Sequence, residues 1–180
     1  MRWDDLFADL EGQWDRELRR DLDHEVADRT RRERASLGLY ERLAAAGDAT
    51  LRVTVRSGDV LTGGVRDVGD GWLLLGADPT HLALVPFGGV VAVSGLGQRA
   101  AAALPGRRFG LGYALRGLSR DRAVLALTDV TGGVLTGTID AVGSDVVDLT
   151  EHAADAPRRP ENVTGRRVVP FAAIAALRPA

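Results

Sequence analysis

The sequence predicts a mainly β protein with helices: two five-stranded barrels preceded by a long amphipathic α-helix. Three observations carry this reading. Apolar spacing changes from threes and fours to twos near Gly47-Asp48, only three of the 22 glycines precede that point, and one glycine-punctuated block occurs twice after it. With 180 residues, 45% hydrophobic and 27% charged, the chain has enough apolar material for one domain or two small ones. The expected divisions are a charged helical segment over 1–47, a first barrel over 48–98, a linker with a short helix over 99–121, and a second barrel over 122–180.

In the first segment Trp3, Leu6, Phe7, Leu10 and Trp14 recur at spacings of three and four. At about 100° per residue they form one narrow apolar stripe. Acidic residues at its start (Asp4, Asp5, Asp9 and Glu11) suit the positive end of a helix dipole, and Asp15/Arg19, Glu25/Arg29 and Asp28/Arg32 are spaced for i,i+4 pairing. Between Arg19 and Ala35 the stripe thins to Leu22 and Val26. Apolar spacing resumes at Leu37, Tyr40 and Leu43, and Gly47 is a natural cap.

The segment Leu51-Arg52-Val53-Thr54-Val55, followed by Ser57-Gly58-Asp59, opens a run of antiparallel strands. Residues 58–75 (GDVLTGGVRDVGDGWLLL) set over 132–149 (GGVLTGTIDAVGSDVVDL) share eight identities in 18 ungapped positions, at an offset of 74. Val85-Pro86-Phe87 returns as Val169-Pro170-Phe171 at an offset of 84, so the second copy holds ten more residues in the polar, proline-rich stretch Ala153 to Thr164. Each unit reads as a short helix, three strands, a variable loop and two strands, which is the plan of a small five-stranded barrel. Between the units, Pro105-Gly106 stops one apolar run, and Leu111, Ala114, Leu115 and Leu118 predict a short helix.

These residues carry a resemblance. A strand, a glycine, a glycine-bearing strand, a turn and a strand, then a strand pair after a variable loop, resemble the Sm-like fold over residues 36–95 and 109–178. Other small SH3-like barrels, among them the C-terminal barrel of a ribosome-maturation factor family, share the pattern, and actinobacterial proteins with a helix followed by two such repeats are similar in layout. The resemblance implies a fold of tandem barrels. It also implies where an RNA-contacting Asn and Arg-Gly pair would stand: Leu74 and Ser94-Gly95 in the first copy, Asp148 and Arg178-Pro179 in the second. Three of the four key polar residues are absent, Arg178 alone matching, and Asp148 would repel phosphate.

No other motif assembles a complete chemistry. Ser94-Gly95-Leu96-Gly97-Gln98-Arg99-Ala100 has dinucleotide-loop spacing, but Pro105-Gly106 ends the following segment too soon for a crossover helix, so it reads as a turn between repeats. His24, His81 and His152 have no metal-ligand spacing, no serine sits in a nucleophile elbow, and Asp140, Asp145 and Asp148 read as solvated. The 25 acidic residues slightly outnumber the 23 basic ones, all of which are arginine, so the chain has no global attraction for polyanions. Cysteine is absent, which removes disulfides and thiolate metal sites.

The expectation is therefore a non-enzymatic cytoplasmic binding or scaffold protein without a cofactor, metal or membrane partner. It would self-associate through barrel edges and through an interface formed by Trp3, Phe7, Leu10 and Trp14, which could also hold a protein partner. The alternative is an RNA-associated or regulatory protein contacting nucleic acid through Arg107, Arg108, Arg116, Arg120 and Arg122. A second arginine group, Arg29, Arg31, Arg32 and Arg34, reads as a solvated helix face with acidic neighbours.

Overall fold

A computed structural model describes residues 31, 35, 37–78, 81–97, 109–155 and 159–180. Helix α1 (Leu39–Ala44) buries Leu43 and ends before Gly47, whose positive φ of 55° suits a residue without a Cβ. Strand β1 (Leu51–Val55) then buries Leu51, Val53 and Val55 while Arg52 is exposed, the alternation of a strand with one covered face. It is followed by β2 (Val60–Gly69), β3 (Trp72–Gly76) and β4 (Leu82–Pro86), each antiparallel to the one before. A single 3-10 turn at Phe87–Gly89 leads into β5 (Val90–Ser94), which returns to the other side of β1.

Helix α2 (Leu111–Arg120) lies where the Leu111, Ala114, Leu115 and Leu118 spacing predicts one, with Leu115 wholly buried. The remaining strands are β6 (Val124–Asp129), β7 (Val134–Val142), β8 (Val146–Glu151), β9 (Gly165–Pro170) and, after a 3-10 turn at Phe171–Ala173, β10 (Ile174–Pro179). Gly58 between β1 and β2 and Gly132 between β6 and β7 adopt nearly the same left-handed φ, 93° and 92°.

The expectation of two five-stranded barrels is corrected by the pairing. The ten strands of the described residues form one antiparallel sheet in the order β5-β1-β2-β3-β4-β10-β6-β7-β8-β9. Its physical basis is the two strands at the centre. In β4, Ala83 and Val85 join one hydrophobic cluster with Leu51, Val53 and Leu73, while Leu84 joins a second with Leu115, Leu127 and Leu149. In β10, Ala175 and Ala176 belong to the first cluster, and Ile174 and Leu177 to the second. Strands covered on both faces need continuous apolar runs, and that is what Leu82-Ala83-Leu84-Val85 and Ile174-Ala175-Ala176-Leu177 supply. The two meet at Leu177 and Leu84.

The long N-terminal helix is corrected as well. Arg31 and Ala35 are helical but Leu37 and Gly38 are not, so no helix runs continuously to Gly47; among the described residues α1 has six residues and α2 ten. Gly38, a poor helix former, stands at the break. The stripe Trp3, Phe7, Leu10 and Trp14 lies outside the described residues.

Candidate interaction edges and a leucine cavity

Among the described residues, β5 pairs only with β1 and β9 only with β8, so these two strands bound the sheet. An unpaired edge is a template for another strand unless charge, proline or a bulge blunts it. Val91 of β5 is 63% exposed and Val168 of β9 65% exposed. Both are β-branched residues that favour a pleated, covered surface. Strand β9 also carries Arg166 and Arg167, and the Arg167 Nε donates to Glu151 Oε1 at 2.7 Å, so one of its two charges is partly compensated within the sheet. Proline falls only at its last residue, Pro170.

The arginines named from sequence divide. Arg107 and Arg108 lie outside the described residues, as do Arg29, Arg32 and Arg34. Arg116 and Arg120 are exposed on α2, and Arg122 follows the helix with a φ of 49°. Arg116 reaches the carbonyl of Gly143 at 3.5 Å. Beside them is an aromatic pair that periodicity does not single out: Phe109 and Tyr113 stack with ring centroids 4.1 Å apart and planes 15° from parallel, 43% and 49% exposed. Their i,i+4 spacing across the start of α2 was the available signal.

The backbone at Phe109 also ties this segment to the first half of the sheet. Its carbonyl accepts from the Asp70 N–H at 3.0 Å and from the Trp72 indole N–H at 2.8 Å. Trp72 is almost fully buried, so this contact meets the need of its only polar atom. The space beside the ring is left by Gly69, where a Cβ would collide with the indole and approach the Phe109 carbonyl to 2.6 Å.

The four positions assigned by the Sm-like resemblance do not converge as two equivalent sites. Leu74, Arg178 and Pro179 line one cavity with Leu82, Leu84, Leu118, Leu125 and Leu177, while Asp148 is exposed on β8 and Ser94 on β5. The cavity holds about 230 Å³ and draws its walls from β3, β4, β6, β10 and α2. Arg178 forms an ion pair with Asp59 at an N–O separation of 3.5 Å, while its Nε is buried without a hydrogen-bond partner among the described residues.

The remaining sequence candidates are accounted for locally. The Gly97 carbonyl accepts from the Arg42 guanidinium at 3.1 Å, which holds the Ser94-to-Gly97 segment against α1. His81 pairs with Asp78 at 2.9 Å, Asp140 accepts from the Thr150 hydroxyl at 2.6 Å, and Asp145 from the Ser144 hydroxyl at 3.1 Å. His152 is buried, with Nδ1 2.9 Å from the Ala153 carbonyl; His24 lies outside the described residues. No helix among the described residues is long and apolar enough to cross a membrane. No protein-family model, curated protein or solved structure matches the chain.

Proposed function

We propose that the protein is a non-enzymatic, cytoplasmic scaffold that self-associates by adding β9 of one copy to β5 of another. The observation that supports this is the correspondence between the sheet's centre and its edges. The offset of 84 that sets Val85-Pro86-Phe87 over Val169-Pro170-Phe171 also sets β4 over β9 and β5 over β10. The joined pair β4 and β10 and the unjoined pair β9 and β5 are thus the same two kinds of strand. Carried across by 84, the Leu84–Leu177 register at the centre becomes Val168 opposite Val93 of a second copy. Val168 has the exposure such a contact requires.

Because β9 and β5 are different surfaces, the association is head to tail and yields a closed ring or an open filament, never a two-fold dimer. The stripe Trp3, Phe7, Leu10 and Trp14 would add a second contact or hold a protein partner. Light scattering after size-exclusion chromatography at micromolar concentration tests the reading: a mass above 19.1 kDa is expected, and a monomer mass rejects it. The chain has no cysteine, so Val93→Cys with Val168→Cys adds the only thiols. Cross-strand neighbours are near enough for a disulfide, and oxidation should give ladders of covalently linked copies, with neither single variant advancing beyond a dimer.

A second reading has one specific observation in its favour. The exposed Phe109–Tyr113 stack, with Arg116 and Arg120 along the same helix, combines a base-stacking face with cations in the manner of single-strand nucleic-acid sites. Filter binding of oligo-U at rising salt separates the two readings. Nucleic-acid affinity would fall by orders of magnitude and would depend on Arg107, Arg108, Arg116, Arg120 and Arg122 more than on Leu74 or Asp148.

A further inference from the structure

We propose that the leucine cavity at the centre of the sheet binds a small amphiphile with an unbranched apolar chain and a carboxylate, of the medium-chain fatty acid class. This site is separate from the edges through which self-association is proposed. Leu74, Leu84, Leu118, Leu125 and Leu177 make its walls apolar, so an aliphatic chain replaces lost contacts without stranding any polar group. Its volume, about 230 Å³, exceeds that of a leucine-lined cavity of about 150 Å³ that takes up benzene. Leu74, Leu82, Leu118 and Val124 are only partly buried, so the cavity communicates with solvent.

The charge of the ligand follows from Arg178. Among the described residues this is the one charged residue in the wall, and its Nε lies buried with no hydrogen-bond acceptor among them. A buried donor left unpaired is costly, more so on a cation. Asp59 engages a different nitrogen, at 3.5 Å and with both partners substantially solvent-exposed, and so leaves the Nε position unanswered. A second pocket shares Leu82, Arg178 and Pro179 with the first, so Arg178 stands at the wall between an apolar space and a more polar one lined by Thr62 and His81. The aliphatic chain occupies the leucine side and the carboxylate accepts from Arg178. A neutral alcohol of equal length fills the same space with a weaker hydrogen bond.

Isothermal titration of the full chain with hexanoate, octanoate and decanoate, each below its micellar concentration, and with octanol tests this. Saturable binding at one site per chain is expected, with octanoate about tenfold tighter than octanol, the difference between a charged and a neutral hydrogen bond. Arg178→Gln should abolish that preference while retaining octanol binding. Leu118→Trp, at a partly exposed position, should fill the space and abolish both; Leu74→Phe provides the same test from a strand should the first variant melt early. Absence of saturable binding by any of the four compounds would overturn the proposal. So would octanoate binding unchanged in both filled variants, or an octanoate preference unchanged in Arg178→Gln.

Discussion

At the scale of single residues, the glycines and one aspartate set the geometry on which the sheet depends. A Cβ at Gly63 would come within 2.6 Å of the Gly76 backbone, and one at Gly137 would collide with the Thr150 carbonyl. These two glycines occupy the same place in the VLTG blocks, Val60 to Gly63 and Val134 to Gly137, that begin β2 and β7. Both obstacles are backbone, which cannot rotate away. Gly63→Ala is therefore expected to lower stability by about 1–3 kcal/mol, as overpacking does, and Gly137→Ala by more; urea melts of the two variants measure it. Asp129 has a different role. Its Oδ1 accepts from the Thr131 N–H at 2.7 Å, the Thr131 hydroxyl at 2.6 Å and the Gly133 N–H at 3.0 Å. Led by the hydroxyl bond, these contacts hold its carboxyl below the usual aspartate range. A lowered folded-state value means the carboxylate stabilises the fold fully above the unfolded-state range, and that contribution disappears as pH falls through the lowered value. Asp129→Ala should reduce the melting temperature at neutral pH and narrow its deficit toward pH 2, measured by thermal melts across that interval.

At the scale of elements, local pattern and distant pairing separate cleanly. The alternation of Leu51, Val53 and Val55, the left-handed glycines 58 and 132, and the Leu111-to-Leu118 spacing are readable because each concerns neighbours in the chain. The partner of an apolar strand is not encoded in its own period. The last strand of the second expected barrel would lie at an open edge, yet β10 lies between β4 and β6 with both faces covered. Val90 to Val93, equally apolar in sequence, is at the rim. For the same reason Leu74, Leu118 and Leu177 do not announce a shared cavity, being drawn from β3, α2 and β10. The link from Trp72 to the Phe109 carbonyl spans 37 residues and is equally silent in sequence. Trp72→Phe keeps most of the ring and loses that bond; it should cost about 0.5–1.5 kcal/mol, and hydrogen exchange at the Asp70 amide should rise with it. Single charges at the rim test the edges: Val91→Lys or Val168→Lys should change the unfolding free energy of the monomer by no more than about 0.5 kcal/mol while lowering the assembled mass in light scattering.

For the whole molecule, everything converges on the central pair of strands. Leu177 is almost fully buried, belongs to the second hydrophobic cluster and stands opposite Leu84. Truncating it opens a cavity where the two clusters adjoin, so Leu177→Ala is expected to cost about 2–5 kcal/mol. Both halves should melt together, which calorimetry reads as one transition with equal calorimetric and van't Hoff enthalpies. The position of β10 also bears on how the protein is made. A chain emerging from the ribosome presents β1 to β5 first and β6 to β9 next, but the strand that joins them is the last of the ten to appear. Until then β4 and β6 offer unsatisfied flanks to any passing strand, and the interval between the release of β6 and the release of β10 is when a nascent chain is most exposed to pairing with the wrong partner.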